Sequence, residues 1–387
     1  MTGRTVLLGA TGYTGGLVLD AMLRRGLKPT LAGRNGTSLA SLAERHGGLD
    51  HVVADVSDLA DLRKLVGPGD VLITTVGPFE RLGFPVAQAA ADVGAHYIDS
   101  TGEVGFVRAL QDRCHDRARE TGSVMLPAFG YDYVPGVLAA HLAVRQGGDA
   151  VRAVDVGYFA TGSLRRGLSQ GTRNTGRSGL TLPVPHWHGH RLIDRRPASN
   201  LRDFTVRGRR RTAFLLSGTE VLFLPQAFPQ LDTVSVHNGW FPALSRPVQA
   251  ISAAAATAAR HAFGRKLLGL LTRPMSGQTG GPDAAERART RSHIVAVASD
   301  APDGAPLAEV HLEGPSIYTL TAELIAWGAH RLATRHDLTP GVVGPVEAFG
   351  LDALRLGCAE VGLQPTDAPA PDHVLPPREE GRTHERQ

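Results

Sequence analysis

"VLLGATGYTGG", Val6 to Gly16, runs three apolar residues into glycines at positions 9, 12 and 15. The apolar run stops at a glycine too soon for a helix, so it reads as a strand entering a turn. Tyr13–Arg25 then carries Leu17, Leu19, Met22 and Leu23 at helical spacing. Strand, glycine turn and helix in that order form a phosphate cradle. Gly9 permits the tight turn, Gly12 lets backbone approach a pyrophosphate, and Gly15 lets the helix pack on the sheet. The phosphates meet the positive end of the helix near Gly12. Thr11, Tyr13 and Thr14 fill the same turn and complete its candidate contacts.

The alternation continues outward from this turn. Strands are expected at Pro29–Ala32, Val52–Ala54, Val71–Val76, His96–Asp99 and Ser123–Pro127. Helices are expected between them at Leu39–His46, Leu59–Val66, Pro85–Val93 and Val104–Glu120, with another over Val134–Val144. Strands alternating with helices imply right-handed crossovers and a doubly wound parallel sheet, a Rossmann α/β fold over residues 1–148.

From residue 149 the texture changes. Strands at Val151–Ala160, His190–Asp194, Phe204–Arg207, Thr212–Leu216 and Thr233–His237, and a hairpin of Ile294–Ser299 with Leu307–Glu313, give an α+β domain over 149–315. Its sheet is mixed or antiparallel. A stretch rich in glycine, serine and arginine, Thr161–Gly179, interrupts it, and Gln249–Leu271 is alanine-rich and helical. Helices at Ser316–Thr334 and Ala348–Val361 place 316–364 back on the first domain. Prolines and charges make 365–387 a disordered tail.

The end of the second strand discriminates between cofactors. A carboxylate there would accept from an adenosine ribose 2′-hydroxyl and repel a 2′-phosphate. This chain has "AGRN", ending in Arg34 and Asn35. Arginine offers a planar set of donors to a phosphate, and Asn35 can add another, so the cofactor is read as NADP(H). Asp55, ending the third strand, is either an adenine contact or a helix cap. Val76, Gly77 and Pro78, after the fourth, pass near the nicotinamide ribose.

Composition narrows the remaining classes. The 387 residues are 42% hydrophobic and 20% charged, which suits a globular two-domain chain. A net charge of +4 with no aromatic-interleaved basic stripe speaks against nucleic acid, and "RGRRR" at 207–211 reads as a turn or solvated strand end. No apolar run is long enough for a membrane span. Cys114 and Cys358 cannot build a disulfide framework and read as reduced thiols of a cytoplasmic protein. "HWHGH", with His186, His188 and His190, lines imidazoles along a strand, but no Cys or carboxylate ligand is close and Gly189 looks like a hairpin turn. No metal is expected.

"GATGYTGG", "AGRN", "TTVGPFERLG", "HYIDSTGE" and "PAFGYDYVPG" together resemble the saccharopine dehydrogenase-like oxidoreductases. "SQGTRNT" (Ser169–Thr175), "SGTEVLFLP" (Ser217–Pro225) and "LEGP" (Leu312–Pro315) extend the resemblance more thinly. That family includes saccharopine reductases and trans-acting enoyl reductases of lipid and polyketide pathways. The resemblance implies an NADP(H)-binding Rossmann domain and a second domain that often dimerises. The expected activity is NADPH-dependent reduction of a C=C or C=N bond in a small metabolite or carrier-bound intermediate of secondary metabolism. The alternatives are a saccharopine-type amino-acid dehydrogenase and a non-catalytic NADPH-binding protein.

Two stretches leave the sheet where the nicotinamide should lie, "IDSTGE" (Ile98–Glu103) and "GYDYVP" (Gly130–Pro135). Tyr131, Asp132 and Glu103 are the leading proton-donor candidates, with Asp99 and Tyr133 behind them. Relatives often have serine at the position of Tyr133 and an acid at that of Val137, and this chain departs at both. Arg165, Arg166, Arg173 and Arg177 are candidate covers for a substrate or plain surface residues. A homodimer is expected through the middle domain, with Val221–Pro225 and Asp155–Phe159 as its open strands.

Overall fold

The computed structural model describes residues 3–162, 183–258, 280–335 and 337–366. Strands and helices alternate as β1 (Thr5–Leu8), α1 (Tyr13–Arg24), β2 (Thr30–Gly33), α2 (Gly36–Arg45), β3 (His51–Val53) and α3 (Leu59–Leu65). They continue as β4 (Val71–Thr74), α4 (Phe79–Val93), β5 (His96–Asp99), α5 (Val104–Thr121), β6 (Val124–Leu126) and α6 (Val134–Gly147). Next come β7 (Ala153–Thr161), β8 (Val184–His188), β9 (Leu192–Arg195), β10 (Leu201–Val206) and β11 (Arg209–Leu216). After them lie α7 (Glu220–Ala227), β12 (Thr233–Asn238), α8 (Ser245–Ala258) and α9 (Ala284–Arg289). The chain closes with β13 (Arg291–Ser299), β14 (Pro306–Gly314), α10 (Ile317–Thr334), β15 (Gly341–Val342), α11 (Pro345–Phe349), α12 (Leu351–Glu360) and β16 (Gln364–Thr366).

The first sheet is parallel throughout, in the order β3-β2-β1-β4-β5-β6-β15. It is the doubly wound fold that the glycine turn announced, with one strand added from the far end of the chain. β1 is buried at every residue because helices cover both sheet faces. Leu7, Leu31 and Ile73 pack into one apolar cluster, and Val6, Leu8 and Leu72 into another.

The second sheet is mixed, in the order β10-β11-β12-β7-β13-β14-β16, with the β8–β9 hairpin attached to β12. β7 and β12 are parallel and the other pairs antiparallel. α6 starts at a proline-containing turn and lies buried against β7, β13 and β14 of the second sheet. Val154, Val156 and Tyr158 face it, while Phe159 turns to the opposite side with Phe204, Val295 and Val297.

Four expectations change. Val221–Pro225 is not a strand but lies inside α7, because a short buried apolar run has no period to separate the two. Asp155–Phe159 is a strand, yet β7 runs between β12 and β13 and offers no open edge. Pro365 and Thr366, placed in a tail, extend β16 against β14. β8 ends at His188, so His186 and His188 lie on it while His190 does not, and its hairpin partner begins at Leu192 rather than His190. Gly189 and His190 form the turn with positive φ of 62° and 54°. The turn at Arg207 and Gly208 precedes β11, as the arginine-rich run suggested. Arg165, Arg166, Arg173, Arg177, Ser169–Thr175 and the residues from 367 lie outside the described residues. Among the described residues no helix is long and apolar enough to cross a membrane.

Candidate active site

The turn after β1 needs glycine at positions 9 and 15, each for a different reason. Gly9 has a φ of +89°, and a Cβ there would lie 2.8 Å from Thr75 Oγ1. Gly12 caps α1 in extended conformation, its N–H donating to the Gly9 carbonyl at 3.0 Å. A Cβ on Gly15 would lie 2.1 Å from the Gly9 carbonyl oxygen, so any side chain would force the turn open. No side chain caps the first turn of α1 and no acid sits in it. The turn therefore holds donors facing outward at the positive helix end, which is what a pyrophosphate needs.

The neighbouring strand ends complete the cradle. Arg34 is exposed and, among the described residues, makes no hydrogen bond or ion pair, so its guanidinium is free for a 2′-phosphate. Asn35 is the N-cap of α2, its Oδ1 accepting from Ser38 N at 3.0 Å, which leaves only its amide N–H groups to donate. Asp55 does not cap α3, since Asp58 does so with bonds from Ala60 and Asp61. Asp55 instead accepts from Ser57 N and Oγ at 2.9 and 2.7 Å, and these bonds hold its carboxyl below the ordinary range. Thr11 is exposed and Thr14 half-buried at the turn, and Val76, Gly77 and Pro78 follow β4 at its rim. Among the described residues nothing demands glycine at 77, where a Cβ would lie 3.4 Å from its nearest neighbour, the Phe79 ring. Tyr13 is otherwise engaged: its hydroxyl donates to the Pro282 carbonyl at 2.6 Å and accepts from Arg287 at 3.3 Å.

Beyond the carboxyl ends of the strands, the acids separate by their bonding. Asp99 is fully buried and accepts from Ala128 N, Thr101 N and the Tyr97 hydroxyl. Burial lifts its carboxyl to about 6 against those bonds, and it braces the strand ends rather than facing a substrate. Glu103 accepts from Phe79 N at 3.1 Å and from Glu80 N at 2.8 Å, so both its oxygens cap α4. Both oxygens are thus engaged by backbone N–H groups.

The loop Gly130–Pro135 is tied down from several directions. Tyr131 N donates to Thr321 Oγ1 of α10 at 3.1 Å, and its buried hydroxyl accepts from Trp240 Nε1 at 3.0 Å. Tyr133 donates to the Gly102 carbonyl at 3.0 Å, and the Tyr158 hydroxyl reaches the Tyr133 carbonyl at 3.2 Å. Asp132 differs. Its half-buried carboxyl makes no hydrogen bond or ion pair among the described residues, and burial alone raises it to about 7. A carboxyl held between two tied tyrosines and titrating near neutrality is chemically poised as an acid.

One residue at this site escaped the sequence reading. Glu220, at the start of α7, is fully buried, with Oε1 2.6 Å from the Tyr158 hydroxyl. Burial, with the Asp132 charge adding to it, raises Glu220 to about 8. An acid heading the apolar run "EVLFLP" was the available signal. Among the described residues no group of three or more His, Cys, Asp or Glu is placed to hold a metal.

A doubly wound parallel sheet with this glycine turn defines a dinucleotide-binding fold, and the family match below makes the cofactor NADP(H). Residues 5–126 match the family model of the saccharopine dehydrogenase NADP binding domain. Through it the chain is similar to saccharopine dehydrogenase-like oxidoreductases over that segment. A trans-acting enoyl reductase of Mycobacterium ulcerans is 37% identical over 147 residues, 36% of this chain and 35% of that protein. A saccharopine dehydrogenase-like oxidoreductase of Arabidopsis thaliana is 35% identical over 156 residues, 36% of this chain and 34% of that protein. The matched segment thus spans about a third of those relatives. Over the whole fold, the chain is similar to the saccharopine dehydrogenase (L-Glu forming) of Saccharomyces cerevisiae. That likeness has a TM-score of 0.60 at 12% identity and covers 94% of this chain and 99% of that one.

Proposed function

We propose that the chain is an NADPH-dependent reductase of a C=C or C=N bond in a small or carrier-bound substrate. In this reading 1–148 and 316–364 hold the cofactor, and 149–315 completes the substrate site. Bound NADPH supplies a hydride, and reduction of either bond also needs a proton on the neighbouring atom. Gly9, Thr11, Gly12, Thr14 and Gly15 hold the pyrophosphate, Arg34 and Asn35 the 2′-phosphate, and Val76–Pro78 border the nicotinamide end.

The observation that carries the reading is Asp132. It is the one polar side chain of its loop without a partner among the described residues, and it titrates near neutrality. A protonated Asp132 delivers its proton to the substrate atom next to the one that accepts hydride. Tyr131, held by Trp240, forms a wall that keeps this carboxyl in place.

The test is single-turnover oxidation of NADPH across pH with a panel of enoyl thioesters, and of amines paired with keto acids. Asp132→Asn should lower the rate about a hundredfold and remove one limb of the profile, while NADPH still binds. An unchanged profile would take Asp132 out of the chemistry. Turnover only with the amine pairs would confine the reaction to C=N bonds, where the saccharopine-type amino-acid dehydrogenase also falls, and no turnover with either class would leave a binding protein. The enoyl reductase name of the Mycobacterium ulcerans relative supports the carrier-bound arm. We further read the protein as a cytoplasmic homodimer of secondary metabolism. The buried free thiols Cys114 and Cys358 suit a reducing compartment, and light scattering at micromolar concentration tests the dimer.

A further inference from the structure

The contacts around Tyr158 do not balance unless another group brings a proton. Its hydroxyl accepts from Gly136 N at 3.1 Å and lies within hydrogen-bond distance of two further oxygens. These are Glu220 Oε1 at 2.6 Å and the Tyr133 carbonyl at 3.2 Å. A phenol has one hydrogen, and a carbonyl has none to give. Both oxygen–oxygen contacts are satisfied only when the carboxyl of Glu220 donates to Tyr158 and Tyr158 donates to the Tyr133 carbonyl.

The surroundings agree. Glu220 Oε2 is buried without a hydrogen-bond partner among the described residues, which costs a carboxylate far more than the carbonyl oxygen of a neutral acid. No cation faces it among the described residues: the titratable groups around it are Asp132 and Tyr133 from the loop before α6 and Tyr158 from β7. Space is fixed too. A Cβ on Gly136 would lie 2.0 Å from Glu220 Oε1, and one on Gly218 would lie 2.1 Å from Oε2, so the carboxyl is clamped between two glycines.

We infer that Glu220 is a neutral carboxylic acid whose proton locks Tyr158 to the Tyr133 carbonyl, making it the positioning residue for Asp132. The lock joins α7 and the second sheet to the peptide next to Asp132, and it keeps a second negative charge away from that carboxyl. Its loss at alkaline pH leaves Tyr158 with one hydrogen for two acceptors and sets a carboxylate beside Asp132. The positioning role rests on Asp132 as proton donor; the protonated state of Glu220 does not.

Two substrate-free measurements on the full chain test it. Infrared spectra at neutral pH should show a protonated-carboxyl band that Glu220→Gln removes and Asp132→Asn leaves in place. Tyr158→Phe, which takes away the acceptor, should move that band without abolishing it. Trp240, bonded to Tyr131, reports on the same loop: its fluorescence should show an alkaline transition near pH 8 that Glu220→Gln abolishes. A band unchanged in Glu220→Gln, or a transition that persists there, overturns the inference whatever the activity. If Glu220→Gln fails to fold, by circular dichroism, the Tyr158→Phe band decides, and an unmoved band overturns it. Should no substrate oxidise NADPH while band and transition behave as stated, the reductase reading falls and the protonated Glu220 stands.

Discussion

Arg34 and Glu220 show opposite relations between a residue and its legibility. Arg34 could be read because the strand–glycine turn–helix unit fixes where the ribose lies, and the residue type at that point is itself the message. In the structure it is exposed and unpaired among the described residues, so its removal disturbs no internal contact. A charge-assisted contact to phosphate is worth about 1.5–3 kcal/mol, so Arg34→Ala should weaken NADPH binding roughly ten- to a hundredfold. NADH binding should barely change. Titration of both cofactors against both proteins checks this, and equal losses would remove Arg34 from cofactor choice. Glu220 could not be read, because no local pattern says that a glutamate heading an apolar run will meet Tyr158 from 62 positions away. Its burial leaves a pH signature. The unfolded chain releases this proton above its ordinary value of 4.5, while the folded state keeps it to about 8. Wild-type stability therefore falls as pH rises through that window, by about 1.4 kcal/mol per unit for an isolated group, and levels off above it. Glu220→Gln has no proton to lose, so its stability relative to wild type should improve from about pH 5 to about pH 8. Urea unfolding at the two pH values measures the gap, and a constant gap contradicts it.

Elements were most legible where period and punctuation agreed. The strands of the first sheet are short and apolar and end at turns, and each helix between them has its own stop signal, as at Gly94 and Gly122, which take φ of 77° and 79°. α7 misled because Val221–Pro225 is buried at most positions and shows no period. Glu103 reads from the sequence as a proton-donor candidate. Only the fold shows that α4 starts at Pro78, which offers no side-chain cap, so that the first N–H groups of the helix turn to Glu103. Glu103→Ala strips two acceptors from a helix start at the rim of the cofactor cradle. Loss of a cap costs about 0.5–2 kcal/mol. Urea unfolding of Glu103→Ala should show a loss of that size, and NADPH affinity should fall with it because Val76–Pro78 leads into α4. A variant as stable as wild type, with activity gone, would return Glu103 to the chemistry.

At the scale of the whole molecule, the two sheets are not independent bodies. One apolar cluster runs from Leu7 and Ile98 of the first sheet through Leu138 and Val144 of α6 to Val154 and Ile294 of the second. The chain also returns. α10 packs on α1, burying Leu320, Leu324 and Trp327, and β15 extends the parallel sheet at Val124 and Met125 of β6. Tyr13, in the first turn of the cofactor helix, is bonded to Pro282 and Arg287, far along the sequence. A glycine-turn motif alone would end the first domain near residue 148, whereas the helical pattern after 316 points back to it, and α10 on α1 and β15 on β6 are the contacts made there. Residues 1–148 expressed alone would expose the face of α1 that α10 covers and the edge of β6 that β15 pairs. Burial of apolar surface is worth about 25 cal/mol per Å², so a helix buried on most of its faces is a large share of a marginal stability. The fragment should therefore show a broad, non-cooperative urea transition and no measurable NADPH binding. Residues 3–366 should unfold cooperatively and bind. A cooperative, cofactor-binding fragment 1–148 would show that the C-terminal helices decorate the cofactor domain instead of completing it.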